Sequence, residues 1–258
     1  MPDSFILTPF FLDQPLPALE ALLQPGWIVN KPNLPEGLPQ ARMAALYQPL
    51  AEGVAQALQH GKRPVSLAGD CCTSLGVLAG LQRAGLEPSL IWLDAHGDFN
   101  TWETTPSGFL GGMPLAMLTG RGEQSIVQAL AIRPMPEKGV ILSDGRDLDP
   151  GEREALNASQ VVHLPRVELL LERQLPAGPL WLHLDTDVLD AAVAPAQNYP
   201  VPDGPSAETL RGLFSRLNGC GELQAISISS WNPLLDADGS TREVWLSLLG
   251  ALTDLKSS

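Results

Sequence analysis

Eight short runs of mostly aliphatic residues recur along the chain, and segments with helical periodicity lie between them. Most of these runs are apolar at successive positions rather than at alternate ones, which is typical of strands that are covered on both faces of a sheet. We predict strands at residues 4–8, 27–30, 64–68, 89–94, 139–143, 160–163, 180–185 and 223–227.

The intervening segments carry apolar residues at spacings of three and four, as amphipathic helices do. We predict helices at residues 38–60, 73–83, 207–217 and 239–255, with Ser206 and Ser240 as N-caps of the last two. Strand and helix alternate over the whole length. The sequence therefore predicts one α/β domain over residues 1–258, with three αβα layers around a mainly parallel central sheet.

Charge and composition argue against several classes of binding partner. The net charge of −13 argues against nucleic acid and against an anionic membrane surface. No apolar run reaches the ~20 residues that span a bilayer, and the apolar segment 5–12 is broken by Pro9, unlike a signal peptide. Three cysteines, Cys71, Cys72 and Cys220, form no disulfide framework. We expect a cytoplasmic protein.

Three of the predicted strands end in groups that bind metals. These groups are Asp70-Cys71 after one strand, Asp94-Ala95-His96-Gly97-Asp98 after the next, and Asp185-Thr186-Asp187 after a third. Ligands of open parallel sheets lie at the carboxyl ends of strands, and alternation predicts that Asp94, His96 and Asp98 share a side, as do Asp185 and Asp187.

So many carboxylates in one place need cations to offset their repulsion. Carboxylates with some imidazole suit Mn²⁺, and two metals ~3.5–4 Å apart can activate a water molecule. A lone D-x-H-x-D segment is often a solvated loop. Two acidic segments that both follow strands in an α/β chain favour the metal interpretation.

The same segments resemble the arginase and agmatinase family, the ureohydrolases, at four blocks between residues 66 and 233. Its D-A-H-x-D block is matched in full at residues 94–98, and its S-x-D-x-D-x-x-D-P block resembles residues 183–190. The resemblance implies two Mn²⁺ ions and a catalytic role for His96 and Asp98. It implies Cys71 and Asp98 on one metal, His96 and Asp187 on the other, and Asp94 and Asp185 bridging both.

The chain also resembles arginases at positions where those enzymes bind the head group of an amino-acid substrate. Asn100, Thr105 and Ser107 fall where arginases hold an α-carboxylate, and Asp149 and Glu152 fall where they hold an α-ammonium group. Agmatine has no carboxylate, so these matches favour an amino acid with a guanidino-type group. The alternative is that Asp149 simply caps a helix that begins at Pro150, and both interpretations can hold together.

Three positions depart from the arginase pattern. Cys71 replaces a ligand histidine, and a thiolate would move the metal preference somewhat toward Zn²⁺; the alternative is a small buried apolar cysteine. Gly111 stands where arginases carry a proton-shuttle histidine. Ser230 stands where they carry a glutamate that pairs with the guanidinium.

These departures resemble enzymes of the cycloserine pathway that hydrolyse Nω-hydroxy-L-arginine to hydroxyurea and L-ornithine. An N-hydroxyguanidine is less basic than a guanidine. Its hydrolysis would therefore suffer less from the absence of a histidine at Gly111 and of a glutamate at Ser230. Two alternatives stay open: another ureohydrolase, acting on L-arginine, formimidoylglutamate or another guanidino acid, or a catalytically inactive ligand-binding member. No segment resembles an assembly arm, which favours a monomer.

Overall fold

The computed structural model describes residues 1–255 and contains an eight-stranded sheet in which every pairing is parallel. The strands are β1 Asp3–Thr8, β4 Ile28–Val29, β5 Arg63–Ala68, β6 Ser89–His96, β7 Val140–Asp147, β8 Val162–Leu164, β9 Leu180–Asp185 and β10 Leu223–Ser229. Their order is β4-β1-β5-β10-β9-β6-β7-β8. A two-stranded antiparallel hairpin pairs β2 Phe10–Phe11 with β3 Gln14–Pro15.

Helices cover both faces of this sheet. They are α1 Pro39–Gln59, α2 Ser74–Arg83, α3 Pro114–Leu118, α4 Ser125–Ala129, α5 Pro150–Asn157, α6 Val167–Glu172, α7 Ala207–Gly219 and α8 Ser240–Leu249. Within residues 1–255, none of them combines the length and the hydropathy needed to cross a membrane.

Two apolar layers separate the helices from the sheet. Successive strand residues enter opposite layers: Leu90 packs in the layer with α1 to α5, and Ile91 packs in the layer with α6, α7 and α8. This is the pattern of a strand that is buried on both faces. The predicted αβα architecture with a parallel sheet is confirmed.

The site depends on four adjacent central strands, β5, β10, β9 and β6. Their carboxyl ends meet at one edge of the sheet, as parallel strands require. Cys71 follows β5, Ser229 ends β10, Asp185 ends β9 and His96 ends β6. The sheet order therefore brings distant parts of the sequence to one place.

The structure corrects three local predictions. Strand alternation stops at His96, and Asp98 adopts a left-handed backbone with φ of 50°. Asp187 likewise lies in a 3₁₀ turn, Thr186–Val188, and not on a continued strand. Both side chains still reach the site, because the chain turns over the sheet edge instead of running past it.

The third correction concerns the last helix, which ends at Leu249 and not at residue 255. Gly239 occupies its N-cap with φ of 74°, so the predicted cap Ser240 is instead the first helical residue. Ser206 does cap α7, because its side chain accepts a hydrogen bond from the Thr209 amide. Local propensity located these helices, whereas the start of α8 depends on a left-handed glycine.

Candidate metal centre and pocket

Asp94 lies at the centre of the carboxyl edge and is almost fully buried. One of its carboxylate oxygens accepts the His96 amide at 2.7 Å, and the other accepts the Trp92 indole N–H at 3.0 Å. His96 Nδ1 lies 3.1 Å from Asp187 Oδ2 and 3.4 Å from Asp94 Oδ1. Strand β6 thus presents a carboxylate and an imidazole side by side.

Cys71 forms the other half of the cluster. Its Sγ atom lies 2.8 Å from Asp185 Oδ2 and 3.0 Å from Ser229 Oγ. The thiol is held there by Asp70, whose carboxylate accepts the Cys72 and Leu12 amides and so fixes the turn after β5. A sharp, capped turn therefore points Cys71 back over the sheet edge.

These side chains form two groups of possible ligands that share Asp94. In each group, one ligand atom from every residue lies within 4.8 Å of the others. One group is Cys71, Asp94 and Asp185, and the other is Asp94, His96 and Asp187. Asp98 lies outside both groups but in the same pocket. Its buried Oδ2 finds no hydrogen-bond partner among residues 1–255.

Burial and mutual repulsion perturb the acids of this cluster. Burial raises the pKa of Asp98 and that of Asp185 well above the usual range, and the neighbouring carboxylates add to both shifts. The pKa of Asp187 rises to about 6 for the same reasons. Burial alone would lower the pKa of His96, but its bonds to Asp187 and Asp94 raise it to about 12.

The donor set fits divalent cations. Two cations would replace the protons that the buried acids otherwise hold, and they would give Asp98 Oδ2 a partner. Carboxylates with one imidazole and one thiol are a ligand set for Mn²⁺ or Zn²⁺. The two overlapping groups would allow two ions to share Asp94.

A pocket of about 230 Å³ opens in front of the cluster. Cys71, His96, Asp98, Asp185 and Asp187 line it, and so do five of the six residues predicted to bind substrate. These residues are Asn100, Thr105, Ser107, Asp149 and Glu152. Ser230, the sixth predicted substrate residue, lines the pocket next to the cluster.

The residues predicted to hold an ammonium group also build a helix start. Asp149 and Glu152 form a capping box at the first turn of α5, whose first residue is Pro150. The Glu152 carboxylate also accepts the Phe99 amide at 2.7 Å. Burial raises the pKa of Glu152 to about 7. The capping role is therefore present, and the pocket position keeps both acids available to a ligand.

The residues predicted to hold a carboxylate differ in their exposure. Asn100 is buried, and its amide donates to Asp149 at 2.9 Å. Ser107 is exposed and Thr105 is half-buried, and their hydroxyls are 3.4 Å apart. Asn100 thus links the two halves of the predicted head-group site, and Thr105 and Ser107 line the same pocket.

Sequence reasoning missed an aromatic wall of the pocket. The ring of Phe109 lies 6.3 Å from that of Phe11 and 5.5 Å from that of Tyr199, centroid to centroid. Tyr199 also meets His96 edge-on at 6.3 Å. These rings come from three segments that are distant in sequence. The only sequence signal near Tyr199 is the proline-rich segment 195–205, which is typical of a loop.

The remaining histidines have structural partners. His60 Nδ1 bonds the Gln56 carbonyl, and His163 Nε2 bonds that of Asp144. His183 is buried and stacks on Trp92 with centroids 3.7 Å apart. Burial lowers the pKa of His183 to about 3, so its ring is neutral. All three side chains therefore have partners within the fold.

A buried cluster of acids, imidazole and thiol at the carboxyl edge of a parallel sheet defines a metal-dependent hydrolase type of site. The Arginase family model matches residues 33–253. The arginase of Brucella melitensis is 33% identical over 230 residues, which cover 83% of this chain and 72% of that protein.

Two further relatives agree. The N(omega)-hydroxy-L-arginine amidinohydrolase of Streptomyces lavendulae is 31% identical over 210 residues, which cover 80% of this chain and 74% of that protein. The crystal structure of arginase from Bacillus subtilis matches with a TM-score of 0.83 and 28% identity, over 100% of both chains. The chain belongs to the arginase family, whose enzymes hydrolyse guanidino C–N bonds at a binuclear metal centre.

Proposed function

We propose that this chain is a binuclear metal amidinohydrolase that cleaves Nω-hydroxy-L-arginine to hydroxyurea and L-ornithine. The observation that carries the proposal is Ser230, a neutral residue that lines the pocket beside the metal cluster. A strongly basic guanidinium would need a charged partner there. An N-hydroxyguanidine is less basic and tolerates a neutral wall.

The ligand residues would be Cys71 and Asp98 for one ion and His96 and Asp187 for the other, with Asp94 and Asp185 shared. Two divalent cations supply Lewis acidity that activates water at neutral pH, and we favour Mn²⁺. Asp98, whose buried Oδ2 has no hydrogen-bond partner among residues 1–255, would hold one ion and help to orient that water molecule.

The walls of the pocket would bind the amino-acid head of the substrate. Asp149 and Glu152 offer carboxylates to the α-ammonium group. The Thr105 and Ser107 hydroxyls and the second amide hydrogen of Asn100 offer donors to the α-carboxylate. These contacts would leave the side chain of the substrate directed at the metal cluster.

The experiment compares Nω-hydroxy-L-arginine, L-arginine and agmatine with the same Mn²⁺-loaded protein. We expect hydroxyurea and ornithine from the first, little urea from the second and none from agmatine, which lacks the carboxylate. A higher kcat/KM for L-arginine than for the hydroxylated substrate would contradict the proposal. An Asp149→Asn variant should raise KM for the amino acid and leave the metal content unchanged.

A divergent arginase is the second candidate, because an arginase and the hydroxyarginine enzyme are similar to this chain to nearly the same extent. Urea as the main product would establish it. The head-group contacts proposed above serve both candidates, so the comparison of products separates them by the guanidino end alone.

A further inference from the structure

A line of buried polar groups runs beneath the metal cluster and ends at Cys71. Trp181 Nε1 lies 3.0 Å from Ser227 Oγ, and Ser227 Oγ lies 2.9 Å from His183 Nδ1. On the far side of the ring, His183 Nε2 lies 3.5 Å from Ser229 Oγ. Ser229 Oγ in turn lies 3.0 Å from Cys71 Sγ. Every member is at least nine-tenths buried.

The chemistry of the two ends orders the protons along this line. An indole N–H can only donate, so the Ser227 oxygen accepts from Trp181. Among residues 1–255, the other partner of that hydroxyl is His183 Nδ1, to which it donates. A neutral ring that accepts at Nδ1 carries its hydrogen on Nε2, and this hydrogen faces Ser229.

The order then continues to the sulfur. With its oxygen accepting from the His183 ring, Ser229 directs its own hydrogen to Cys71 Sγ. A metal-bound thiolate is an acceptor only, so this order satisfies every buried donor and acceptor at once. The reverse order would leave the Ser227 hydrogen without an acceptor among the described residues.

The backbone fixes this line. Ser227 pairs with His183, and Ser229 pairs with Asp185, across the adjacent strands β10 and β9. Stacking on Trp92 holds the imidazole plane. These strands lie in the middle of the sheet, where a shift of register would disturb both apolar layers.

We propose that Ser229 and His183 are positioning residues that direct a hydrogen bond at Cys71 Sγ and so hold this sulfur in place as a metal ligand. This inference rests on the proposed function only in taking Cys71 as a ligand. A hydrogen bond to an anionic ligand is strong, and partners of this kind typically contribute 10–100-fold to metal affinity.

The test uses Co²⁺ in place of Mn²⁺, because a thiolate bound to Co²⁺ gives a charge-transfer absorption in the near ultraviolet. The wild-type protein should show this band and Cys71→Ala should lack it. Ser229→Ala should shift the band to longer wavelength and raise the Kd for Co²⁺ about tenfold. Trp181→Phe, which removes only the far donor, should shift the band in the same direction by less.

The matched control is Ser66→Ala. Ser66 lies beside Ser227 on β5, and its buried hydroxyl has no partner among residues 1–255. The charge-transfer band of the Ser66→Ala variant and its Kd for Co²⁺ should equal those of the wild-type protein. Equal behaviour of Ser229→Ala and Ser66→Ala would overturn the inference. If Trp181→Phe does not fold, as judged by circular dichroism, the comparison of the two serine variants decides alone.

Failure of the inference and failure of the proposed function give different results. A wild-type protein that makes hydroxyurea but shows no charge-transfer band overturns the inference and leaves the function standing. A protein with the expected band shifts that hydrolyses neither substrate keeps the inference and refutes the function.

Discussion

A Cβ atom added at Gly111 would clash with the ring of Phe109. The overlap is with two ring carbons and is far shorter than a van der Waals contact. The ring of Phe109 therefore occupies the space that a side chain at residue 111 would need. The small residue at position 111 and the aromatic wall of the pocket are therefore one structural feature, not two.

This relationship predicts strong coupling between the two positions. Gly111→Ala should lower the free energy of unfolding by about 1–3 kcal/mol, because it overfills a packed space. The same substitution in a Phe109→Ala background should cost almost nothing, since the overlapping ring is gone. Denaturant unfolding of the four proteins in this double-mutant cycle measures the coupling.

The matched control is Gly112→Ala. A Cβ atom there would have as its nearest neighbour the Asn100 amide nitrogen, at 4.0 Å. Its cost should be the same with and without Phe109. An equal cost for Gly111→Ala in both backgrounds would show that the ring moves freely and that the positions are independent.

Ser230 should control the selectivity between substrates. Its hydroxyl donates to Asp185, and its backbone has φ of 76° at the pocket wall. Ser230→Glu puts a carboxylate on the pocket wall, where it can pair with a guanidinium. It should therefore raise kcat/KM for L-arginine relative to Nω-hydroxy-L-arginine. Ser230→Gln has the same size without the charge. If both variants change the ratio of the two kcat/KM values equally, charge is not the cause.

The metal-free protein should lose stability as the pH rises. Glu152, with a folded-state pKa of about 7, and Asp187, with one of about 6, both lie above their ordinary values. An acid of this kind contributes stability that is complete below its unfolded pKa and is lost as the pH passes the folded one. The melting temperature should therefore fall between pH 4.5 and pH 7.5.

Glu152→Gln isolates one group in this dependence. It should flatten the change in unfolding free energy between pH 5 and pH 7, where one proton corresponds to at most about 1.4 kcal/mol per pH unit. Glu154→Gln, on the exposed face of the same helix, is the control. A pH dependence that both variants leave unchanged would exclude Glu152 as a source. Added Mn²⁺ should reverse the trend, since its ligands must be deprotonated.

The sequence sufficed for the sheet and for the location of the acids, because both depend on local patterns. Largely apolar runs such as 180–185 are typical of covered strands, and the carboxyl ends of parallel strands share an edge. The geometry of the turns after the strands could not be predicted from such local patterns. Strand alternation gave Asp98 the correct side for the wrong reason, because the strand ends at His96 and Asp98 has a left-handed backbone.

Long-range packing explains what the sequence left out. Phe11, Phe109 and Tyr199 come together through three connections, none of which has a periodic pattern. The order of hydrogen bonds from Trp181 to Cys71 depends on the register of β9 against β10. Each residue is unremarkable in its own segment, and the chemistry arises only from pairs that the sheet brings into contact.

Arg146 connects the turn that contains Asp187 to the segment at residues 201–202. Its guanidinium makes five hydrogen bonds, one to the Asp144 carboxylate and four to backbone carbonyls, at Asp187, Val188, Val201 and Pro202. Arg146→Met leaves the buried Asp144 carboxylate unpaired, so it should cost about 3–5 kcal/mol of unfolding free energy.

Asp144→Asn in the same chain separates the two roles of Arg146. Removing the unpaired charge should recover part of the stability, but it cannot restore the bonds to the carbonyls that hold the loop of Asp187. The double variant should therefore unfold at higher denaturant than Arg146→Met and still bind Mn²⁺ more weakly than the wild-type protein. Calorimetric titration measures that affinity, and wild-type binding by the double variant would show that Arg146 stabilises the fold without positioning Asp187.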